Sequence, residues 1–318
     1  MSENIEVLAG KEIEERKPSE ADLQAEAARR ISQYRRDIYP QNIVLSAEDL
    51  VALCELLLEA NERAKNIEFN NLNLAEFESS DQARSRVNEL VQVEHNYVAE
   101  SGDSFQGLGI PRVAENSFPA ELRSFFVSNA AYTRRAIKVE PLCVVDTFLS
   151  FAKPSLKIDV LTFPSNPTEN RSVINVYGRD EDWVISTANR IEEYFRIRKT
   201  FRPVIHGSGA YDYLIYLVYL PTVFWIAFKK GSPLESLFAT QSTLFNVVVG
   251  IYLLLVSLLF ARFIFQYVRW LFPPMEYYKR SRFGAYTHRV IAGLIGGALF
   301  AGAVYDIGKS IVLALFGS

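Results

Sequence analysis

Residues 236–272 read SLFATQSTLFNVVVGIYLLLVSLLFARFIFQYVRWLF and stop at Pro273-Pro274. The first 26 of them, residues 236–261, carry no charge. A helix of about 20 apolar residues crosses a hydrocarbon core of roughly 30 Å. The stretch therefore predicts a transmembrane helix with turns to spare, and the rest of the chain is placed relative to a bilayer. Just upstream, Ser232 as N-cap, Pro233 at the first helical position and Glu235 at the third mark a helix start. Counted from Pro233, the helix is expected to run about 40 residues, or roughly 60 Å. The surplus must tilt, lie in the interface or project as a stalk.

Two further apolar stretches flank it. Residues 213–228 are uncharged and, with Ala210 and Tyr211, just long enough to span, with a kink expected at Pro221. Residues 290–305 are uncharged and rich in Gly and Ala. They predict a third span, or else a re-entrant or interfacial hairpin. The expected membrane part, residues 206–318, is an α-helical bundle with spans at about 211–228, 237–261 and 290–307. It has two spans if the last does not cross.

Charge sets the expected orientation. Arg196, Arg198, Lys199 and Arg202 precede the first span. Arg262, Arg269, Lys279, Arg280, Arg282 and Arg289, against Glu276 alone, lie between the second and third. The turn between the first and second has only Lys229 and Lys230. Cytoplasmic loops carry the excess of Lys and Arg. The N-terminus and the 262–289 loop are thus expected in the cytosol, and the KKGSP turn and C-terminus outside. The opening MSENIEVLAGKEIEERKPSE is acidic and has no apolar core segment, so no secretory signal peptide is expected. The expected location is the cytoplasmic (inner or plasma) membrane.

The two parts of the chain differ in charge. Residues 206–318 hold nine Lys/Arg and four Asp/Glu of the chain's 34 and 37, which gives about +5 there and about −8 in residues 1–205. An acidic soluble part on a basic membrane part argues against nucleic acid as the main partner.

Residues 1–40 predict a charged N-terminus of little order followed by a helix over residues 20–36. Residues 41–205 predict an α+β domain, helices first and then a mainly antiparallel sheet. Ser46 with Asp49 is a capping-box start, and Leu50, Leu53, Cys54, Leu57 and Leu58 follow at helical spacing. A second helix starts at Ser80, and IEFNNLNLAEFE between them alternates as a strand or short hairpin would. From Val93 the pattern changes to short β-branched and aromatic runs: VEHNYVA, LRSFFVSN, YTRRAIKVE, LCVVDTFLSF, LKIDVLTF and SVINVYG. FPSNPTENRS reads as a loop. The last soluble helix follows Asp180 as N-cap, with Glu181 and Asp182 at its positive end.

Few residues carry specific chemistry. RFIFQYVRWLFPP interleaves Arg with aromatics, which suits stacking on single-stranded nucleic acid or anchoring at a membrane interface. Its place at the end of an apolar helix favours the interface. The expected contacts to anionic lipid are Arg196, Arg198, Lys199, Arg202, Arg262, Arg269, Trp270, Lys279, Arg280 and Arg282. Gly293 and Gly297 form a G-x-x-x-G, and Gly296 and Ala301 extend the small-residue face. Such a face packs helices within the chain or between copies. Asp306 and Lys309 are intramembrane polar candidates, or an i,i+3 ion pair at the outer interface.

His206 and Asp212 sit in HGSGAYD, whose glycines suit a flexible hinge. The spacing of His95, His206 and His288 is not that of zinc ligands, and helix capping accounts for Asp180 and Asp182. No Walker, G-x-S-x-G or H-E-x-x-H motif is present, so no cofactor or metal is expected. Cys54 and Cys143 lie in apolar runs and read as buried free thiols.

The function expected from this layout is a cytosolic domain that senses or binds a ligand or protein, coupled through helix 180–200 to a small bundle that self-associates. The layout is similar to that of bacterial defence or toxin effectors that act on membranes, a similarity no residue motif carries. The alternatives are a membrane anchor that recruits a cytosolic protein, and a membrane-bound enzyme using sheet acids such as Asp146, Asp159, Asp180 and Asp182.

Overall fold

The computed structural model describes residues 33–109, 118–156, 165–228, 242–278, 287 and 289–290. Its centre is an antiparallel sheet of β1 (Tyr34–Ile38), β3 (Glu94–Ala99), β4 (Ser104–Leu108), β5 (Leu122–Ser128), β6 (Cys143–Ser150) and β7 (Val173–Gly178), in the order β1-β7-β6-β5-β3-β4. Strand β2 (Ile43–Leu45) lies apart and pairs elsewhere. The period of two sends Val127, Val145, Leu149, Ile174 and Val176 to one buried face. Two helices cover that face, α1 (Ala47–Asn71) and α4 (Glu181–Arg196). Both start where the sequence says. Ser46 and Asp49 form a reciprocal capping box, and the Asp180 carboxylate accepts from the Trp183 N–H at 2.7 Å. Trp183 in turn donates its indole N–H to the Ala60 carbonyl at 3.0 Å, tying α4 to α1.

Three local expectations are corrected. Residues 34–36 belong to β1, not to a helix, because they find a partner edge on β7. IEFNNLNLAEFE is no hairpin: α1 runs on to Asn71 and a 3₁₀ turn follows at Leu74–Glu76. Ala60, Asn61, Ala64 and Glu68 continue the buried stripe at helical spacing, so packing outvotes the local alternation. YTRRAIKVE contains a short helix, α3 (Ala131–Ala136), instead of a strand. The Ser128 hydroxyl accepts from the N–H groups of Ala130 and Ala131 at 3.0 and 2.9 Å and starts it. The LKIDVLTF run lies almost wholly outside the described residues.

Beyond α4 the chain turns through α5 (Pro203–His206) into a helical run. That run comprises α6 (Ala210–Tyr213), a π-helical stretch (Leu214–Tyr219) and α7 (Leu220–Phe228). The wide turns come just before Pro221, whose ring displaces the carbonyl it cannot serve. The Thr222 hydroxyl donates to the Val218 carbonyl at 2.6 Å and satisfies one acceptor there.

The long apolar helix, α8, spans Thr243–Leu271. Ser242 is extended and its hydroxyl caps Phe245, so the 29-residue helix starts there, while the expected start at Ser232 and Pro233 lies outside the described residues. It is about 44 Å long, closer to what a bilayer needs than the expected 60 Å. Among the described residues it is the one helix long and apolar enough to cross a membrane, with a mean hydropathy of 2.5 in its most apolar window. Only 6% of that window is buried within the chain, and Leu244, Tyr252 and Phe260 are among the exposed residues. The expected third span lies, apart from Val290, outside the described residues.

Candidate functional site: the junction between the sheet and the long helix

After α8 the chain returns to the α+β part. Residues Met275–Tyr277 form β8, which pairs in parallel with β2. Ile43 donates its N–H to the Pro274 carbonyl at 3.1 Å, and Tyr278 to Leu45 at 2.8 Å. Met275 and Tyr277 enter the main core, where Tyr277 meets Phe151. The end of the apolar helix is thereby fastened to the sheet.

Three basic side chains reinforce the joint. Arg202, 4% exposed, donates to the Pro273 carbonyl at 2.6 Å and pairs with Glu276. Arg289 reaches the other oxygen of Glu276 at 2.5 Å and the Leu271 carbonyl at 3.0 Å. Arg269 donates to the carbonyls of Ile205 and Asn166 at 3.1 and 3.0 Å. The last carbonyls of α8 have no partner within the helix; Arg289 meets that of Leu271, and Arg269 in the last turn suits the negative end of the helix dipole. Burial pulls the Arg202 guanidinium below its ordinary value, while the Glu276 carboxylate holds it up.

His206 is the neutral member. Its Nε2 lies 2.5 Å from the Phe272 carbonyl, which only accepts, so the proton sits on Nε2. Its Nδ1 then accepts from the Thr168 hydroxyl at 2.8 Å. Burial, with Arg269 and Arg202 nearby, lowers its pKa from 6.5.

The expected hinge is a locked turn. Gly209 adopts a φ of +74°, a region glycine enters without strain. Its N–H donates to Ser165 O at 3.0 Å, and the Ser165 hydroxyl to Asp212 at 2.7 Å.

The residues expected at a lipid surface separate into groups. Arg202 and Arg269 are buried and donate to protein carbonyls. Arg198 is turned inward, bonded to Asp49 at 2.8 Å and stacked on Tyr194. Arg196 is exposed beside Glu193, and Lys199 is exposed. Arg262 is half-buried. Trp270 is half-buried, stacked on Tyr267 and covered by Lys153. Lys279, Arg280, Arg282, Gly293, Gly296, Gly297, Ala301, Asp306 and Lys309 lie outside the described residues.

Sequence reasoning missed Ile197, Phe201 and Val204, which are 69%, 71% and 77% exposed beside the junction. The apolar–basic interleaving of IRKTFRPV was the available signal. It also missed Glu276 and Arg289 as joint partners: Glu276 meets Arg202 across 74 residues of chain, and Arg289 joins them through Glu276.

Of the acids named, Asp146 and Asp180 have structural employment, and Asp159 lies outside the described residues. Asp146 accepts from the Ser128 hydroxyl at 2.5 Å and from Arg134 at 3.0 Å. Arg134 also holds Glu140, which accepts from the Tyr177 hydroxyl. This network staples α3 to the sheet. Among the described residues no group of three His, Cys, Asp or Glu side chains has the arrangement of a metal site. Cys54 and Cys143 are free and buried, and burial pushes both thiols up to about 12. The fold and junction thus define an α+β protein with an apolar helix locked to its sheet. No protein-family model, curated protein or solved structure matches the chain.

Proposed function

We propose that this is an integral membrane protein whose α+β part lies in the cytosol and binds a ligand or partner, passing that event to a small transmembrane bundle. The observation that carries the proposal is the joint at the end of α8. The end of that helix is bonded to β2 through β8 and to the 202–206 segment and the 166–168 loop through Arg202, Arg269 and His206, and Met275 and Tyr277 pack into the sheet's core. A flexible tether would anchor a domain equally well. A joint of this stiffness transmits displacement of the sheet to the helix.

The exposed apolar length of α8 and the exposed Ile197, Phe201 and Val204 beside Arg196 and Lys199 favour seating in a bilayer with its interface at the joint. In the full proposal the chain is multi-pass, the KKGSP turn faces outward, and copies associate through the Gly/Ala-rich face at 292–302 to perturb the membrane when the cytosolic part is occupied.

Single cysteines introduced in turn at Ser232 and Ser281, in a Cys54→Ala/Cys143→Ala background, test the orientation. In sealed, right-side-out vesicles, Ser232→Cys is expected to react with an impermeant maleimide and Ser281→Cys only after permeabilisation. The reverse pattern, or recovery of the chain in the alkaline-washed supernatant, would sink the reading. Dye leakage from the same vesicles separates an effector from a passive anchor.

A further inference from the structure

A polar cavity of about 520 Å³ opens at the junction end of the sheet, on the face opposite α1 and α4. Its floor is the register pair Ser124 and Ser150 with the Phe148 ring beside them. Its charged lining residues are Arg123, Lys153, Arg171 and the acidic Glu169. Arg171 shares its charge with Glu169 at 3.2 Å, but Arg123 and Lys153 have no carboxylate partner among the described residues. Nor do the Ser124 and Ser150 hydroxyls donate to any described acceptor. Lys153 sits 4.6 Å above the Trp270 ring, which holds the ammonium at the rim by a cation–π contact.

The geometry points to a binding site for a phosphate-bearing anion. Uncompensated cations brought together around hydroxyl donors repel one another, and an anion removes that cost. The Arg fork and the Lys point charge are the two side chains that hold phosphate best, and Ser hydroxyls complete its oxygens. The volume exceeds that of a bare phosphate and falls within the roughly 300–1,000 Å³ of small-molecule sites. The Phe148 ring gives the carbon body of a phosphoester an apolar surface.

The cavity also touches the joint. Thr168, whose hydroxyl bonds His206, and Pro274, whose carbonyl accepts from Ile43, both line it. An occupant therefore contacts the groups that lock α8 to the sheet. The headgroup of an acidic phospholipid and a soluble phosphoester share this chemistry.

Binding of inorganic phosphate to the full chain in phosphatidylcholine nanodiscs, followed by calorimetry, tests the site. A second arm follows enrichment of phosphatidic acid around the chain in mixed bilayers. The variants are Arg123→Gln and Lys153→Gln, with Arg86→Gln as a remote surface control. Saturable phosphate binding, weakened about tenfold or more by each site variant and unchanged in the control, establishes the site with a soluble ligand. Phosphatidic acid enrichment lost in both site variants, without phosphate binding, establishes it with a lipid ligand. Neither effect, or equal loss in Arg86→Gln, overturns it. The phosphate arm does not depend on the membrane reading, because it runs equally in detergent; failure to incorporate into nanodiscs would count against that reading alone.

Discussion

His206 shows how one ring reports on the whole joint. It is held neutral between the Thr168 hydroxyl and the Phe272 carbonyl, with Arg202 and Arg269 as its charged neighbours. Because its folded pKa lies below 6.5, the unfolded chain takes up the proton first. Its contribution to stability is therefore present above about pH 6.5 and lost as pH falls below it. Denaturant midpoints measured across this range should fall with acid in the wild-type chain and fall less in His206→Gln. Parallel slopes would show that the ring is not neutral in the fold. From the sequence, His206 was legible only as one member of a Gly-rich segment. Its partners arrive from positions 38 residues before and 66 residues after, and no local pattern encodes that.

At the scale of elements, the helices announced themselves and the joint did not. Ser46–Asp49 and Asp180 cap their helices because capping needs only residues three apart in sequence. By contrast β2 and β8 are three residues each and pair across some 230 residues of chain. The Arg202–Glu276–Arg289 cluster ties β8 to the segment just before α5 and to Arg289. Arg202→Ala should leave Glu276 less than fully paired and the Pro273 carbonyl without its donor. A loss of about 3 kcal/mol in unfolding free energy is expected, as for breaking other buried ion pairs. Arg202→Lys should recover part of it, since an ammonium reaches one acceptor but not the fork of two. A change below about 1 kcal/mol in Arg202→Ala would show that Arg289 alone suffices.

For the molecule as a whole, the main core runs from α1 and α4 through the sheet to Met275 and Tyr277, so the residues beyond α8 belong to the same packed unit as the sheet. Cys54 and Cys143 are embedded in it. Burial pushes both thiols up to about 12, so little thiolate exists at neutral pH and none of it is accessible. Alkylation by a small maleimide under native conditions should proceed at one common rate for both, set by global opening. If Cys143 reacts much faster than Cys54, the sheet opens separately from α1.

What the sequence by itself determined were features with short range or a strong period. The apolar stretch, the caps at Ser46 and Asp180, the strands in VEHNYVA, LRSFFVSN, LCVVDTFLSF and SVINVYG, and the antiparallel α+β class all arise from contacts within a few residues or from one-residue alternation. Where two local signals competed, as in IEFNNLNLAEFE and YTRRAIKVE, packing and a serine cap chose the helix. Only the tertiary structure decided that Arg202 and Arg269 at the end of the long helix are buried against protein carbonyls. Arginine serves either place, because its apolar stem and charged fork suit an interface as well as a buried acceptor. The choice depends on whether carbonyls and Glu276 come within reach, and that is fixed by the path of the whole chain.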